Sequence, residues 1–129
     1  MKIFFDTNVI ISSVITRGLS FDIIKDAAYK HQIYYTGHLL KEIEETLLAK
    51  FSLSDSVVRR VVSLIEKYFL EGQTSGKIEK VCRDSDDDQV LADAVANEID
   101  VIVTGDKDLL ILAEYRGIKI ILPKDYWKL

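Results

Sequence analysis

The chain has 129 residues, of which 48% are hydrophobic and 29% are charged, and this composition predicts one globular domain over residues 1–129. It argues against a membrane span, because no apolar run approaches the required length of about 20 residues, and against an internal disulfide, because Cys82 is the only cysteine. The lack of a membrane span and of a disulfide leads us to expect a cytoplasmic protein with no membrane partner. The chain has 17 basic and 21 acidic residues, and this charge balance argues against a protein that simply coats nucleic acid.

The first half of the chain predicts alternating strands and helices. Residues 2–5 form a continuous apolar run that is typical of a buried parallel strand. A helix is predicted to begin near Ser20, and residues 32–36 predict a second strand. Residues 38–51 carry a helical apolar stripe, and Ser54 is predicted to cap the next helix.

The second half repeats this alternation. It predicts, in chain order, a short strand over residues 77–81, a helix over 86–98, a strand over 101–104, a short helix over 108–115 and a strand over 118–122. Gly117 is predicted to cap the short helix at its C-terminus. Strands that alternate with helices form parallel sheets covered on both faces, so we predict a three-layer α/β/α fold with a central parallel sheet.

Two acids follow directly after predicted strands. Asp6 comes after the first strand, and Asp106 comes shortly after the strand that begins at Val101. Ligands of open parallel sheets bind beyond the carboxyl ends of the strands, so we expect both carboxylates at one edge of the sheet. An aspartate in this position can also start a turn or cap a helix, and that interpretation stays open for either residue taken alone.

A third acid is predicted from helical phase. Asp88 stands in an acidic run with Asp84, Asp86 and Asp87. At about 100° per residue, Asp88 shares a helix face with an apolar stripe formed by Leu91, Ala92, Val95 and Ile99. We therefore predict that Asp88 faces the strand ends, that Asp86 and Asp87 point elsewhere, and that one of those two caps the helix. Which of the other acids assists Asp88 stays open.

Glu42 lies at the margin of an apolar helical stripe and is predicted either to join these acids or to be an exposed helix glutamate. If the four carboxylates converge at a spacing of ~6 Å, each pair repels by ~2–3 kcal/mol and all pairs together by roughly 15 kcal/mol. This repulsion is comparable with the whole stability of a domain. The cluster must therefore be partly protonated or hold cations, and oxygen ligands select Mg²⁺ or Mn²⁺ over zinc.

Carboxylate-held divalent ions activate water and stabilise the oxygens of an in-line phosphodiester displacement. They would also supply the positive charge with which an acidic chain meets a nucleic acid. Basic candidates for contacts to its backbone are Lys50, Arg59, Arg60, Lys77, Lys80, Arg83 and Lys107. Neither His31 nor His38 is predicted to be a ligand, because both lie at ordinary surface positions near helix ends.

Four segments together resemble the motifs of the PIN-domain nucleases, and in particular the small prokaryotic PIN proteins grouped with VapC-type toxins. Residues 5–10, Phe-Asp-Thr-Asn-Val-Ile, resemble the first motif, and Glu42 resembles the helix glutamate of the second. Residues 84–92 resemble the third motif, although Ser85 stands where relatives often have proline, and residues 103–110 resemble the fourth. The order and spacing of the segments cover nearly the whole chain.

This resemblance implies a PIN-like fold and a metal-dependent endoribonuclease that acts on RNA. It implies that Mg²⁺ or Mn²⁺ is bound by Asp6, Glu42, Asp88 and Asp106. Three further residues are implied to help: Asp108 as an auxiliary ligand, and Asn8 and Thr104 through hydrogen bonds that steady the site. Kinship with the toxins implies an antitoxin partner, and many relatives form homodimers.

The alternative function is a non-catalytic PIN module that serves as an RNA-binding or scaffolding subunit. Such modules usually lose acids, whereas all four acidic positions are filled here, which favours an enzyme. Other α/β/α classes fit less well. A receiver domain needs acids before the end of the first strand, an Asp-x-Asp phosphatase needs an acid where Asn8 stands, and a dinucleotide-binding domain needs a glycine-rich turn after that strand.

Overall fold

The computed structural model describes residues 1–129. The strands are β1 (Lys2–Phe5), β2 (Gln32–Tyr35), β3 (Leu70–Glu71), β4 (Val101–Val103), β5 (Glu114–Tyr115) and β6 (Ile118–Ile121). The helices are α1 (Thr7–Ile15), α2 (Leu19–Lys30), α3 (Gly37–Ala49), α4 (Asp55–Tyr68), α5 (Ser85–Ala96), α6 (Lys107–Leu110) and a C-terminal 3₁₀ helix (Pro123–Lys128).

The six strands form one sheet in the order β3-β2-β1-β4-β6-β5. All neighbours are parallel except β5 and β6, which form an antiparallel pair. In the register of the two central strands, Phe5 lies beside Val103, so both strands end at the same edge of the sheet. The predicted three-layer α/β/α fold with a central parallel sheet is confirmed, with one antiparallel strand added at its edge.

The sheet separates two hydrophobic clusters. Because side chains alternate along a strand, Ile3 and Phe5 of β1 join the larger cluster with α1 to α4, whereas Phe4 joins the smaller cluster with α5 and α6. Likewise Val101 and Val103 of β4 face the first cluster and Ile102 faces the second. Burial on both faces explains why these strands are continuous apolar runs.

The prediction missed α1. This helix holds a run of β-branched residues, Val9-Ile10-Ile11, which have modest intrinsic helix propensity. All three are buried in the larger cluster, so packing against the sheet overrides the local preference. Helices α3 and α5 begin and end within two residues of their predicted limits, and α2 begins one residue before Ser20. Ser54 caps α4 as predicted, by accepting a hydrogen bond from the Val57 amide.

Two predictions in the second half are wrong. The short helix predicted over residues 108–115 ends at Leu110, and Gly117 does not cap it but lies with φ +82° in the turn of the β5–β6 hairpin. Residues 77–81 do not form a strand, since β3 lies earlier, at Leu70–Glu71. A segment without regular structure therefore leads from β3 to α5.

Side chains of α5 hold this irregular segment in place. The buried Asp93 carboxylate accepts hydrogen bonds from the Ser75 amide at 2.6 Å, the Gln89 side chain at 2.8 Å and the Thr36 hydroxyl at 3.2 Å. The Asn97 side chain accepts a hydrogen bond from the Gln73 amide. These contacts satisfy backbone groups that have no partner in a strand ladder, and they assign Asp93 a role in folding.

In this structure, no single helix has the length and apolar character needed to cross a membrane. Helices α1 and α2 reach that length and composition only as a pair bent by 109°.

Candidate metal centre

The centre of the site is built where β1 and β4 end. Asp6 follows β1 and caps α1, since its Oδ1 accepts a hydrogen bond from the Thr7 amide at 2.8 Å. The buried Thr104 hydroxyl donates to Asp6 Oδ2 at 2.7 Å and accepts from the Asp106 amide at 2.9 Å. The supporting hydrogen bonds expected of Thr104 are therefore present, and the threonine links the two aspartates that follow the two strands.

Three carboxylates gather beside this link. Asp87, Asp106 and Asp108 each offer one oxygen, and these oxygens lie within 4.8 Å of one another. Asp106 caps α6 by accepting a hydrogen bond from the Asp108 amide at 2.8 Å. Asp87 Oδ2 is buried and has no hydrogen-bond partner. A buried acceptor in that state is costly, and the structure leaves it facing other acids.

The placement predicted for the third acid is wrong by one residue. Asp87, not Asp88, joins the cluster, and Asp84 rather than Asp86 or Asp87 caps α5. The Asp88 carboxylate instead accepts hydrogen bonds from the amides of Val81 and Cys82, at 2.9 and 2.7 Å. These two bonds lower the pKa of Asp88 and fix the end of the irregular segment.

Helix α5 is buried on more than one side, which explains the error. Val90, Leu91 and Ala94 are all buried, and Asp87 projects at the centre of that face at about 100° per residue. The stripe predicted through Ala92 and Val95 is rotated from this centre by about one residue.

Burial and the charges of neighbouring acids raise the pKa values of Asp6 and Asp87. Loss of hydration is the largest cause for both Asp6 and Asp87. The charges of Glu42 and Asp106 raise the pKa of Asp6 further, against the hydrogen bonds from Thr104 and Thr7 that lower it. The pKa of Asp87 rises to about 7, with contributions from Asp106, Asp84 and Asp6. Near neutral pH and without a bound ion, Asp87 therefore holds a proton part of the time.

Glu42 reaches the edge of the cluster from α3. Its Oε1 accepts a hydrogen bond from the Thr7 hydroxyl at 2.5 Å, and its charge acts on Asp6. Glu42 is half-buried, so of the two interpretations of this residue the structure favours membership of the acidic site. Asn8 does not take the expected role, because its side chain is exposed and forms no hydrogen bond, and Thr7 supplies the contact instead.

Asp108 lies at the rim of the site. Its Oδ1 accepts a hydrogen bond from the Arg83 guanidinium at 2.7 Å, and the Arg83 side chain is 88% exposed. This places one basic side chain next to the acidic cluster and in contact with solvent. Of the basic residues predicted from the sequence, Arg83 is the one tied directly to the site.

The donor set fits a hard divalent cation. It consists of carboxylate oxygens on Asp87, Asp106 and Asp108, with Asp6 adjacent, and such oxygens suit Mg²⁺ and Mn²⁺. The unpaired Asp87 oxygen is an independent indication of a cation site, because a bound cation would satisfy this oxygen and favour the ionised form of Asp87. The residues present therefore fit the ion that the sequence analysis expected.

Comparisons with known proteins agree with this fold. In structure, the chain is similar to the VapBC2 complex of Rickettsia felis bound to a DNA fragment from its promoter, with a TM-score of 0.72 at 11% sequence identity. The similarity covers 95% of this chain and 98% of the other, and at this identity it shows the fold alone. No curated protein matches the sequence. The sequence profile of the PIN domain matches residues 2–108, and the chain therefore belongs to the PIN domain family.

Proposed function

We propose that this protein is a Mg²⁺- or Mn²⁺-dependent endoribonuclease. The observation that carries the proposal is Asp87 Oδ2, a buried and unpaired carboxylate oxygen in a cluster with Asp106 and Asp108. PIN domains are generally nucleases, which agrees with this arrangement. When bound, the ion would supply positive charge for the phosphodiester and lower the pKa of a water that attacks it.

The residues of the chain position the site before any ion or RNA arrives. Thr104, fully buried, fixes the carboxylate of Asp6 and the backbone amide of Asp106. Thr7 fixes one oxygen of Glu42 and leaves the other free to act on an ion or a water. Because these hydrogen bonds exist before binding, little reorganisation is needed in the reaction.

The same geometry suggests how an acidic protein contacts RNA. With a net charge of −4, the chain has no general attraction for a polyanion. The bound ion and the exposed Arg83 guanidinium at the rim would provide the local positive charge for the phosphates. We therefore expect cleavage of single-stranded or structured RNA, with a rate that falls as the salt concentration rises.

The first prediction tests metal-dependent cleavage. Purified protein should cleave RNA in millimolar Mg²⁺ or Mn²⁺ and stop in EDTA. Asp6→Asn should lower the rate by about 1,000-fold, because one stabilising charge of the site is lost, while the circular dichroism spectrum stays unchanged. Asp55→Asn, which alters an exposed acid at the start of α4, is the matched control and should retain activity.

Two results would contradict the proposal. Survival of cleavage in Asp6→Asn would place the active site elsewhere. RNA binding without any cleavage, with either ion, would instead favour the non-catalytic PIN module that binds RNA.

We further propose that the chain is the toxin of a toxin–antitoxin pair. One structural neighbour is a VapBC complex, and this chain has an apolar groove suited to a protein partner. The groove has a volume of about 1190 Å³ and lies between α1, α2 and α4. Leu64 and Tyr68 on its wall are about half exposed, at 50% and 58%. Exposed apolar side chains that gather along one groove are candidates for contact with a partner protein.

The charges around the groove indicate the chemistry of the partner. Arg17, Lys25 and Arg60 line it together with two aspartates, Asp22 and Asp26. An amphipathic helix with an apolar face and acidic flanks fits such a surface. We assign the groove to an antitoxin segment of this kind rather than to a second copy of the chain, which has the same basic flanks.

The second prediction tests this groove. If the chain is such a toxin, a small protein encoded by the neighbouring reading frame should bind it and stop RNA cleavage. Leu64→Asp should weaken that binding by about 30-fold or more, as expected from the loss of roughly 2 kcal/mol at a central apolar contact. Leu48→Asp, at a leucine that is 41% exposed on α3 outside the groove, is the control. Equal binding by both variants would contradict the assignment, and a homodimer that Leu64→Asp dissociates would assign the groove to a second copy.

A further inference from the structure

A second group of metal-ligating side chains lies beside the acidic cluster, and it includes a histidine. His38 and Glu42 lie one turn apart on α3, where residues at i and i+4 share a face. Asp86, in the first turn of α5, approaches the pair from across the site. One ligand atom from each residue lies within 4.8 Å of the others, with His38 Nε2 3.8 Å from Glu42 Oε2.

The closest charged neighbour of His38 Nε2 is Glu42 Oε2 at 3.8 Å, a long ion-pair contact. Nε2 is buried from solvent and forms no hydrogen bond, although part of the ring is exposed. The distance to Glu42 is too long for a hydrogen bond. The Thr7 hydroxyl donates a hydrogen bond to Glu42 Oε1, and the other carboxylate oxygen, Oε2, is the one that lies near the histidine. An unsatisfied buried nitrogen beside two carboxylates is the environment that a cation would complete.

We propose that His38, Glu42 and Asp86 form a second divalent-ion site, which binds Zn²⁺ or Mn²⁺ in preference to Mg²⁺. One imidazole nitrogen with two carboxylate oxygens suits zinc and other borderline ions, whereas Mg²⁺ prefers oxygen ligands alone. Three protein ligands leave positions open for water or a phosphate oxygen.

Small movements complete the geometry. Ligand atoms bound to one ion at about 2.1 Å are at most about 4.2 Å apart. The present spacing of up to 4.8 Å closes if the Asp86 side chain turns inward, and Asp86 is exposed and free to do so. His38 and Glu42 already approach each other within the required range.

The site shares Glu42 with the proposed nuclease centre, and in that respect the inference rests on the proposed function. The two sites differ in their ligands, since Asp87, Asp106 and Asp108 offer oxygen only. Binding of a borderline ion at His38 would therefore tune the nuclease through Glu42, while Mg²⁺ alone would occupy only the acidic cluster.

Zinc binding measured without RNA tests the proposal. In isothermal titration of the full chain with Zn²⁺, in buffer containing millimolar Mg²⁺, the native protein should bind one Zn²⁺. His38→Ala should weaken this binding by roughly 100-fold or more, since loss of even an outer-shell partner costs 10- to 100-fold. Asp86→Asn, a second variant at an exposed position, should weaken it in the same direction. His31→Ala, at the other histidine, is the control and should bind Zn²⁺ like the native protein.

The outcomes separate this inference from the proposed function. Zn²⁺ binding that is unchanged in both His38→Ala and Asp86→Asn would overturn the second site, whatever the nuclease activity. Zn²⁺ binding that falls in both variants and persists in Asp87→Asn would support the second site even if no RNA were cleaved. Loss of the same binding in His31→Ala would also overturn the proposal.

Discussion

Replacing Asp87 by asparagine should abolish RNA cleavage and, at the same time, raise the melting temperature of the metal-free protein. The carboxylate is buried beside Asp6 and the half-buried Asp106, and burial and the charges of these two acids raise its pKa to about 7. Removing one charge relieves repulsion in the empty site, and it also removes a ligand that the reaction requires. We expect cleavage to fall by about 1,000-fold or more, and stabilisation by Mn²⁺ to fall with it.

Asp88→Asn is the matched control on the next residue of the same helix. The Asp88 carboxylate binds the amides of Val81 and Cys82 and does not face the cluster. An asparagine oxygen still accepts hydrogen bonds from these amides, although more weakly than a carboxylate. This variant should melt lower than the native protein, keep its response to Mn²⁺ and retain cleavage within about tenfold.

Cleavage assays and thermal melts with EDTA or Mn²⁺ distinguish the two variants. Native-like cleavage by Asp87→Asn would contradict the assignment of Asp87 as a ligand. Loss of cleavage in Asp88→Asn without a loss of folded protein would assign the functional carboxylate to Asp88 instead. Misfolding does not imitate the expected result, because a protein that has lost its fold does not melt at a higher temperature.

The two acids at the strand ends could be placed at one edge of the sheet from the sequence, because their position depends on a general rule for parallel sheets. Asp6 and Asp106 follow strands that are continuous apolar runs, and parallel neighbours end at one edge whatever their order in the sheet. Thr104, whose supporting role the family resemblance implied, comes directly after β4 and therefore reaches the same edge. These features could be predicted from sequence because local pattern and fold agree.

The choice between Asp87 and Asp88 depends on a rotation that the apolar pattern does not define. Helix α5 is flanked by the sheet on one side and by the irregular segment on another, so most of its residues are buried. A wide apolar face permits several phases, and neighbouring residues differ in phase by only about 100°. The decisive contacts are those of Asp88 with residues 81 and 82, which have no recognisable sequence pattern.

The roles of His38, Thr7 and Asn8 could not be predicted from the sequence, because they depend on tertiary packing. Near a helix start, His38 has the pattern of a surface residue, and only tertiary packing removes its Nε2 from solvent. The family resemblance implied that Asn8 steadies the site and gave Thr7 no role, but the direction of each side chain depends on the entry angle of α1. Since α1 itself was not predicted, the hydrogen bond from Thr7 to Glu42 could not be predicted either.

The metal-free protein should lose stability as the pH rises from about 4 to about 7. Asp87 has an ordinary pKa of 3.8 when unfolded and a pKa of about 7 when folded. Between these values the folded state keeps a proton that the unfolded state has released, so raising the pH favours unfolding. The stabilising contribution is complete below the unfolded pKa and is lost as the pH passes through the folded pKa. Asp6, whose pKa is also raised, acts in the same direction.

Thermal melts in EDTA measure this effect, with Asp87→Asn as the reference. Relative to that variant, the native protein should lose at least about 3 °C between about pH 5 and pH 8, a shift that corresponds to roughly 1 kcal/mol in a chain of this size. Saturating Mn²⁺ should reverse the trend, because the ion binds the ionised carboxylates and its stabilising effect grows with pH. A native protein that parallels Asp87→Asn across this range would contradict the raised pKa, and with it the electrostatic reason for a cation at this cluster.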